Sequence, residues 1–94
     1  MSIRDPLTRL HAAIRGRVQG VGFRWFALDT AESLGLTGWV RNLKDGSVEA
    51  EAQGTEEALK EFVERLRTGN PAARVDSIET VSRNVKNETT FRII

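Results

Sequence analysis

The polar and apolar positions change period several times along the chain. From Leu10 they alternate, with Leu10, Ala12, Ile14, Gly16 and Val18 on one side and His11, Ala13, Arg15 and Arg17 on the other, which predicts a half-buried strand. Gln19-Gly20-Val21-Gly22 ends it, because regular structure continues through such glycines only at a cost. From Phe23 the spacing turns helical: Phe23, Ala27, Ala31 and Leu34 form one stripe, Leu28 flanks it, Asp29 and Glu32 lie outside, and Gly35 is the expected stop. A second strand is expected over 37–43, with Lys44-Asp45-Gly46 as a hairpin turn. On the return, Val48, Ala50 and Ala52 alternate with Glu49, Glu51 and Gln53 as far as Gly54.

Thr55 is a good helix N-cap, and Glu56 and Glu57 follow where the helix dipole favours carboxylates. Ala58, Leu59, Phe62, Val63 and Leu66 mark the inner face of this second helix, which Gly69-Asn70-Pro71 terminates. A β-branched stretch over about 75–85 predicts a strand whose alternation breaks near Ser77, as at a bulge, and Thr89, Phe91 and Ile93 predict a short last one. The order βαββαβ plus an additional short C-terminal strand predicts an α+β, ferredoxin-like sandwich: an antiparallel sheet with two helices on one face. Residues 1–9, with mixed charge and Pro6, are expected to be a flexible lead-in, and 10–94 a single domain. The fold hosts enzymes, regulators and nucleic-acid binders, so it assigns no activity alone.

Composition narrows the chemistry. A net charge of +1 supplies no global field for nucleic acid or an anionic membrane, so an anion site has to be built locally. The absence of Cys removes disulfides, thiolate catalysis and Cys-based metal centres, and fits the reducing cytoplasm expected as its location. No stretch reads as a signal sequence or a membrane span.

The informative segment is Gly16-Arg17-Val18-Gln19-Gly20-Val21-Gly22-Phe23-Arg24, between a strand and a helix start. Its glycines let successive N–H groups face one point, and the helix N-terminus adds partial positive charge, as in an anion nest. Arg24 would stand beside it with a planar fork suited to two phosphate oxygens. The pattern alone is divided evenly between this and a glycine-rich turn followed by a solvated arginine. It is neither a Walker loop, lacking Gly-Lys-Ser/Thr, nor a dinucleotide fingerprint, since Trp25 stands where the third glycine would be. Asn42, closing Gly38-Trp39-Val40-Arg41-Asn42, can hold a water without changing charge, although spacing alone favours a strand-end asparagine.

Taken in order, Gly16 to Arg24, Leu34-Gly35-Leu36, Gly38 to Asn42, Asp45-Gly46-Ser47-Val48-Glu49-Ala50, Gln53-Gly54 and Pro71-Ala72-Ala73-Arg74-Val75 resemble the linked signatures of the acylphosphatase family. The resemblance runs from about residue 10 to the C-terminus. It implies a metal-independent hydrolase of acyl phosphates, with no cofactor, usually monomeric. It further implies that Arg24 and the N–H groups of Arg17, Val18, Gln19, Gly20, Val21, Gly22 and Phe23 cradle the phosphoryl group, and that Asn42 positions the attacking water. No protein base is needed, because a phosphate oxygen of the substrate takes the proton. Two departures stand out: the Phe91-Arg92-Ile93-Ile94 terminus, and Thr55 in place of a common proline.

The remaining candidates are weaker. His11 shows no carboxylate partner by spacing, and Glu49 and Glu51 read as solvent-facing rather than as a paired catalytic set. Trp25, Phe26 and Trp39 read as packing residues before a substrate lip. The partner implied is a small acyl phosphate, not nucleic acid or membrane; an RNA-binding sheet would want outward aromatics where Arg and Glu stand. The alternative function is a non-catalytic ferredoxin-like module that binds a phosphate-containing ligand or a protein.

Overall fold

A computed structural model describes residues 6–94. Of the expected lead-in, residues 1–5 lie outside the described residues. The elements are β1 (Leu7–Arg17), α1 (Phe23–Ser33), β2 (Thr37–Asn42), β3 (Val48–Thr55), α2 (Glu56–Thr68), β4 (Arg74–Arg83) and β5 (Phe91–Ile93). The first strand therefore opens three residues before the alternation at Leu10, so that Leu7, Thr8 and Arg9 belong to the sheet rather than to a lead-in.

The five strands form one sheet in the order β4-β1-β3-β2-β5. The four longer strands pair antiparallel, as expected, whereas β5 lies parallel to β2, which makes the sheet mixed. One row runs across it: Ala12 pairs with Ala50, which pairs with Val40. Ala12, Ala50 and Val40 are fully buried, and their small or β-branched side chains let both helices lie close to the sheet. The helix α1 packs on β2 and β5, and α2 on β3 and β4. Phe23, Ala27 and Ala31 fill one half of the shared core and Leu59, Phe62 and Leu66 the other. Phe62 meets Phe91 edge-on at 6.0 Å, which ties α2 to the last strand. Burying such a side chain contributes about 2–3 kcal/mol, and truncating Phe62 to Ala would cost about 3–5 kcal/mol with the cavity left behind.

The break expected near Ser77 is found one residue away. Arg15 pairs with Ser77 but Gly16 with Val75, which leaves Asp76 as the extra residue of a bulge. At Gly16 (φ 135°) a Cβ would sit 2.1 Å from the Arg74 carbonyl oxygen, so only glycine permits this crossing.

The second sheet face carries no helix, yet it is not simply solvated. The segment from β4 to β5 crosses it: the Lys86 N–H donates to the Gln53 Oε1 at 2.8 Å, and the Gln53 Nε2 donates to the Lys86 carbonyl oxygen at 2.8 Å. Beneath it the Arg9 side chain is fully enclosed, donating to Glu51 at 2.7 Å and Glu88 at 2.6 Å. Burial alone lowers the pKa of this guanidinium, but its hydrogen bonds to Glu88 and Glu51 outweigh that and raise it. Glu51 is therefore buried and ion-paired with Arg9, not solvent-facing.

Candidate active site

The topology brings the two candidate segments to one end of the sheet. β1 and β2 both run antiparallel to β3, which lies between them, so they point the same way and end together. Asn42, the last residue of β2, pairs with Val48, and Val48 pairs with Ile14 of β1. The loop that follows Arg17 therefore rises beside the end of β2.

Apolar anchors shape that loop. Val18 and Phe23 are buried and Val21 packs against the core, while Gly20 and Gly22 between them are exposed. Both glycines have left-handed backbones, φ 75° and 72°, yet among the described residues, their chain neighbours aside, nothing lies within 4 Å of where their Cβ atoms would be. Backbone curvature, not crowding, demands glycine here, and the space before the loop is open. Two side chains tie it down. The Gln19 Nε2 donates to the carbonyl oxygens of Leu43 at 2.7 Å and Ser47 at 2.8 Å, and the Asn70 Nδ2 donates to that of Val21 at 3.3 Å.

Gly22 is the N-cap of α1 and offers no side chain to it. The first helical bond is Phe26 N–H to Gly22 O at 3.0 Å, and among the described residues no backbone N–H from Gln19 through Trp25 has a protein acceptor. No acidic residue stands in this first turn. The result is a row of unpaired donors at the positive end of a helix, the arrangement that binds a tetrahedral oxyanion. Arg24 is the second residue of α1 and half-buried. Arg9, Arg41, Arg65 and Arg74 are each paired with a carboxylate, whereas Arg24 forms no ion pair or side-chain hydrogen bond with any described residue. The donors of its guanidinium are unused among the described residues. Arg17 closes β1 as an exposed residue opposite Arg74.

Asn42 shares the alternation of Val40 and so belongs to the helix side of the sheet. Its Oδ1 is enclosed and has no hydrogen-bond partner among the described residues. A buried acceptor left without a donor costs about 1–3 kcal/mol, which a water or ligand donor would relieve. The adjoining hairpin turn is self-contained: Asp45 accepts from the Ser47 N–H at 2.9 Å and from its hydroxyl, and these bonds hold the Asp45 carboxyl below the usual range.

The other candidates sit elsewhere. His11 does have a carboxylate partner, Glu49 at 2.9 Å, and Glu49 also accepts from Arg41. Sequence spacing hid this pairing, because it joins β1, β2 and β3 across the helix-free face. Burial pushes the Glu49 carboxyl up, but the hydrogen bonds from His11 and Arg41 outweigh it and hold the group low. Trp39 lies on that same face, 6.4 Å from His11 and under Arg41 at 5.2 Å, and is no lip for Asn42 on the other side. Phe26 packs on Phe23 at 6.0 Å, while Trp25 is 64% exposed, on the solvent side of the first turn. Among the described residues no three His, Asp or Glu side chains are grouped to hold a metal. A hollow of about 550 Å³ between α2 and the far ends of β1 and β4 contains neither Arg24 nor Asn42.

The acylphosphatase family profile matches residues 10–93. An acylphosphatase from Moorella thermoacetica is 47% identical over 87 residues, which cover 93% of this chain and 94% of the relative. The crystal structure of acylphosphatase from Bacillus subtilis superposes with a TM-score of 0.89 at 40% identity, covering 95% of this chain and 99% of that one. A full-length HypF in its phosphate- and nucleotide-bound form gives 0.89 at 26% identity, with this chain matching 12% of the larger protein. By profile, sequence and structure, the chain belongs to the acylphosphatase family.

Proposed function

We propose that the chain hydrolyses acyl phosphates by direct attack of a water that Asn42 holds on a phosphoryl group seated in the 17–23 loop and gripped by Arg24. The observation that carries this reading is the enclosed Oδ1 of Asn42, without a partner among the described residues, at the same end of the sheet as a loop whose N–H groups from Gln19 to Phe23 have no acceptor among those residues. The water donates one proton to Oδ1, which leaves its lone pair free for phosphorus. The new O–P bond forms as the P–O bond to the acyl group breaks, and that electron pair leaves as carboxylate. The water's proton passes to a phosphoryl oxygen, so no protein base takes part. Loop N–H groups and Arg24 stabilise the charge on the equatorial oxygens, where pre-oriented donors act most strongly. The reaction uses neither metal nor cofactor, and one cytoplasmic, monomeric domain, opening with β1 at Leu7, suffices for a small-molecule substrate. The absence of cysteine and a site assembled from two segments of one chain support that.

The test is phosphate release from benzoyl phosphate in EDTA. Wild type should retain full activity, and Asn42→Ala should lose about 10²–10³ in kcat, as for one transition-state donor, with little change in inhibition by inorganic phosphate. Unchanged turnover in Asn42→Ala would remove water holding from the mechanism. A binding-only module, the reading raised by the match inside a larger protein, would take up phosphate and release none.

A further inference from the structure

Gln19 belongs to the loop, but its side chain is committed to the hairpin. Both protons of its carboxamide nitrogen are used, one on the Leu43 carbonyl at 2.7 Å and one on the Ser47 carbonyl at 2.8 Å. Leu43 is the residue after Asn42, and Ser47 precedes Val48, the cross-strand partner of Asn42. The Leu43 N–H donates to the same Ser47 oxygen at 2.9 Å, so the amide grips the closing point of the hairpin. Arg24 has no such tie, and Asn70 holds Val21 to the segment after α2 instead. Gln19 is thus the link, made by side chain, between the loop and the strand end that aims Asn42.

We propose that Gln19 is a positioning residue which fixes the separation between the phosphoryl seat and the attacking water, acting through Asn42 and not by side-chain contact with substrate. This rests on the reading of Asn42 given above. The buried anchors Val18 and Phe23, with Val21 partly buried against the same core, keep the shape of the loop without the amide, so what its loss disturbs is registry between loop and hairpin. Attack on phosphorus is sensitive to such registry, because a displacement near 1 Å is worth roughly 10²-fold in rate.

The experiment is a double-mutant cycle on benzoyl phosphate with Gln19→Met, which keeps length and removes both donors. Alone, Gln19→Met should lower kcat about 10- to 30-fold and leave inhibition by inorganic phosphate within about twofold. In the Asn42→Ala background it should cost less than about twofold more, since the water it aligns is already lost. Multiplicative losses, or phosphate binding that falls in step with kcat, would overturn the inference while leaving Asn42 its role. An Asn42→Ala enzyme with full turnover would overturn the reading beneath it as well. If Gln19→Met does not fold, Gln19→Asn, too short to reach both carbonyls, is read against the same outcomes.

Discussion

The two helices begin in opposite ways. α2 starts at Thr55, whose hydroxyl accepts the Ala58 N–H at 3.1 Å, and Glu56 and Glu57 occupy its first turn. Its positive end is satisfied from within. α1 starts at Gly22 with no side-chain cap, no acid in the first turn, and Arg24 in its place. An N-terminus left in this state gives up stability, since a Ser/Thr/Asp/Asn cap is worth about 1 kcal/mol and each first-turn carboxylate about 0.3–1 kcal/mol. On the function proposed above, the difference separates a helix end that holds the fold from one left open to the phosphoryl group. Basic residues late in α2, Arg65 and Arg67, complete its dipole, and α1 has no counterpart in its last turn.

The comparison can be broken most severely at Arg24. Arg24→Ala is expected to lower kcat/KM for benzoyl phosphate by about 10³-fold, and Arg24→Lys to recover little, because a point charge does not reproduce the fork. Steady-state kinetics with folding checked by circular dichroism decide it; near-normal activity in the Lys variant would show that charge alone matters. Next comes conversion of α1 into the likeness of α2. Trp25 is exposed, so Trp25→Glu adds a first-turn carboxylate without opening the core. Phosphate inhibition should weaken about tenfold while the thermal midpoint holds or rises, as expected for a like charge at the anion seat that also suits the helix dipole. Thr55→Ala makes the reciprocal change. It should cost about 1 kcal/mol in urea unfolding and leave kcat and KM unaltered.

The smallest effect concerns pH. The folded Glu49 carboxyl lies below its ordinary value of 4.5, held there by His11 and Arg41 against its own burial. Its contribution is thus complete above the unfolded value and is lost as pH falls through the lower folded one. Thermal midpoints followed from pH 7 into the acid range should drop less steeply for Glu49→Gln than for wild type. Parallel curves would show that the pair does not stabilise the fold.

Periodicity made most of the architecture legible. The stripe of α2 and the alternation of β3 are local properties, and Thr55, Glu56 and Glu57 mark a helix start without any tertiary knowledge. The direction of β5 was not legible, because three residues carry no signal of whether their partner runs with or against them. Arg9 reads as a lead-in charge until Glu51 and Glu88, far along the chain, meet it under the crossing segment. At the site, the glycines and Arg24 are suggested by residue type, but the role proposed for Asn42 depends on β3 lying between β1 and β2. Only then do both strand ends emerge together. The Gln19 tie is hidden for the same reason: the sequence presents it as a loop amide, and its two acceptors belong to the β2–β3 hairpin.

The short parallel strand also guards the molecule against its own kind. By accepting the Gly38 N–H at Thr90 and giving the Ile94 N–H to Val40, the segment around β5 occupies main-chain groups of β2 that would otherwise form an open border. A bare border of Gly38, Trp39 and Val40 would be flat, weakly charged and able to recruit strands from neighbouring molecules. A few terminal residues thus bear on whether a concentrated solution stays clear, a property that turnover measurements would never reveal.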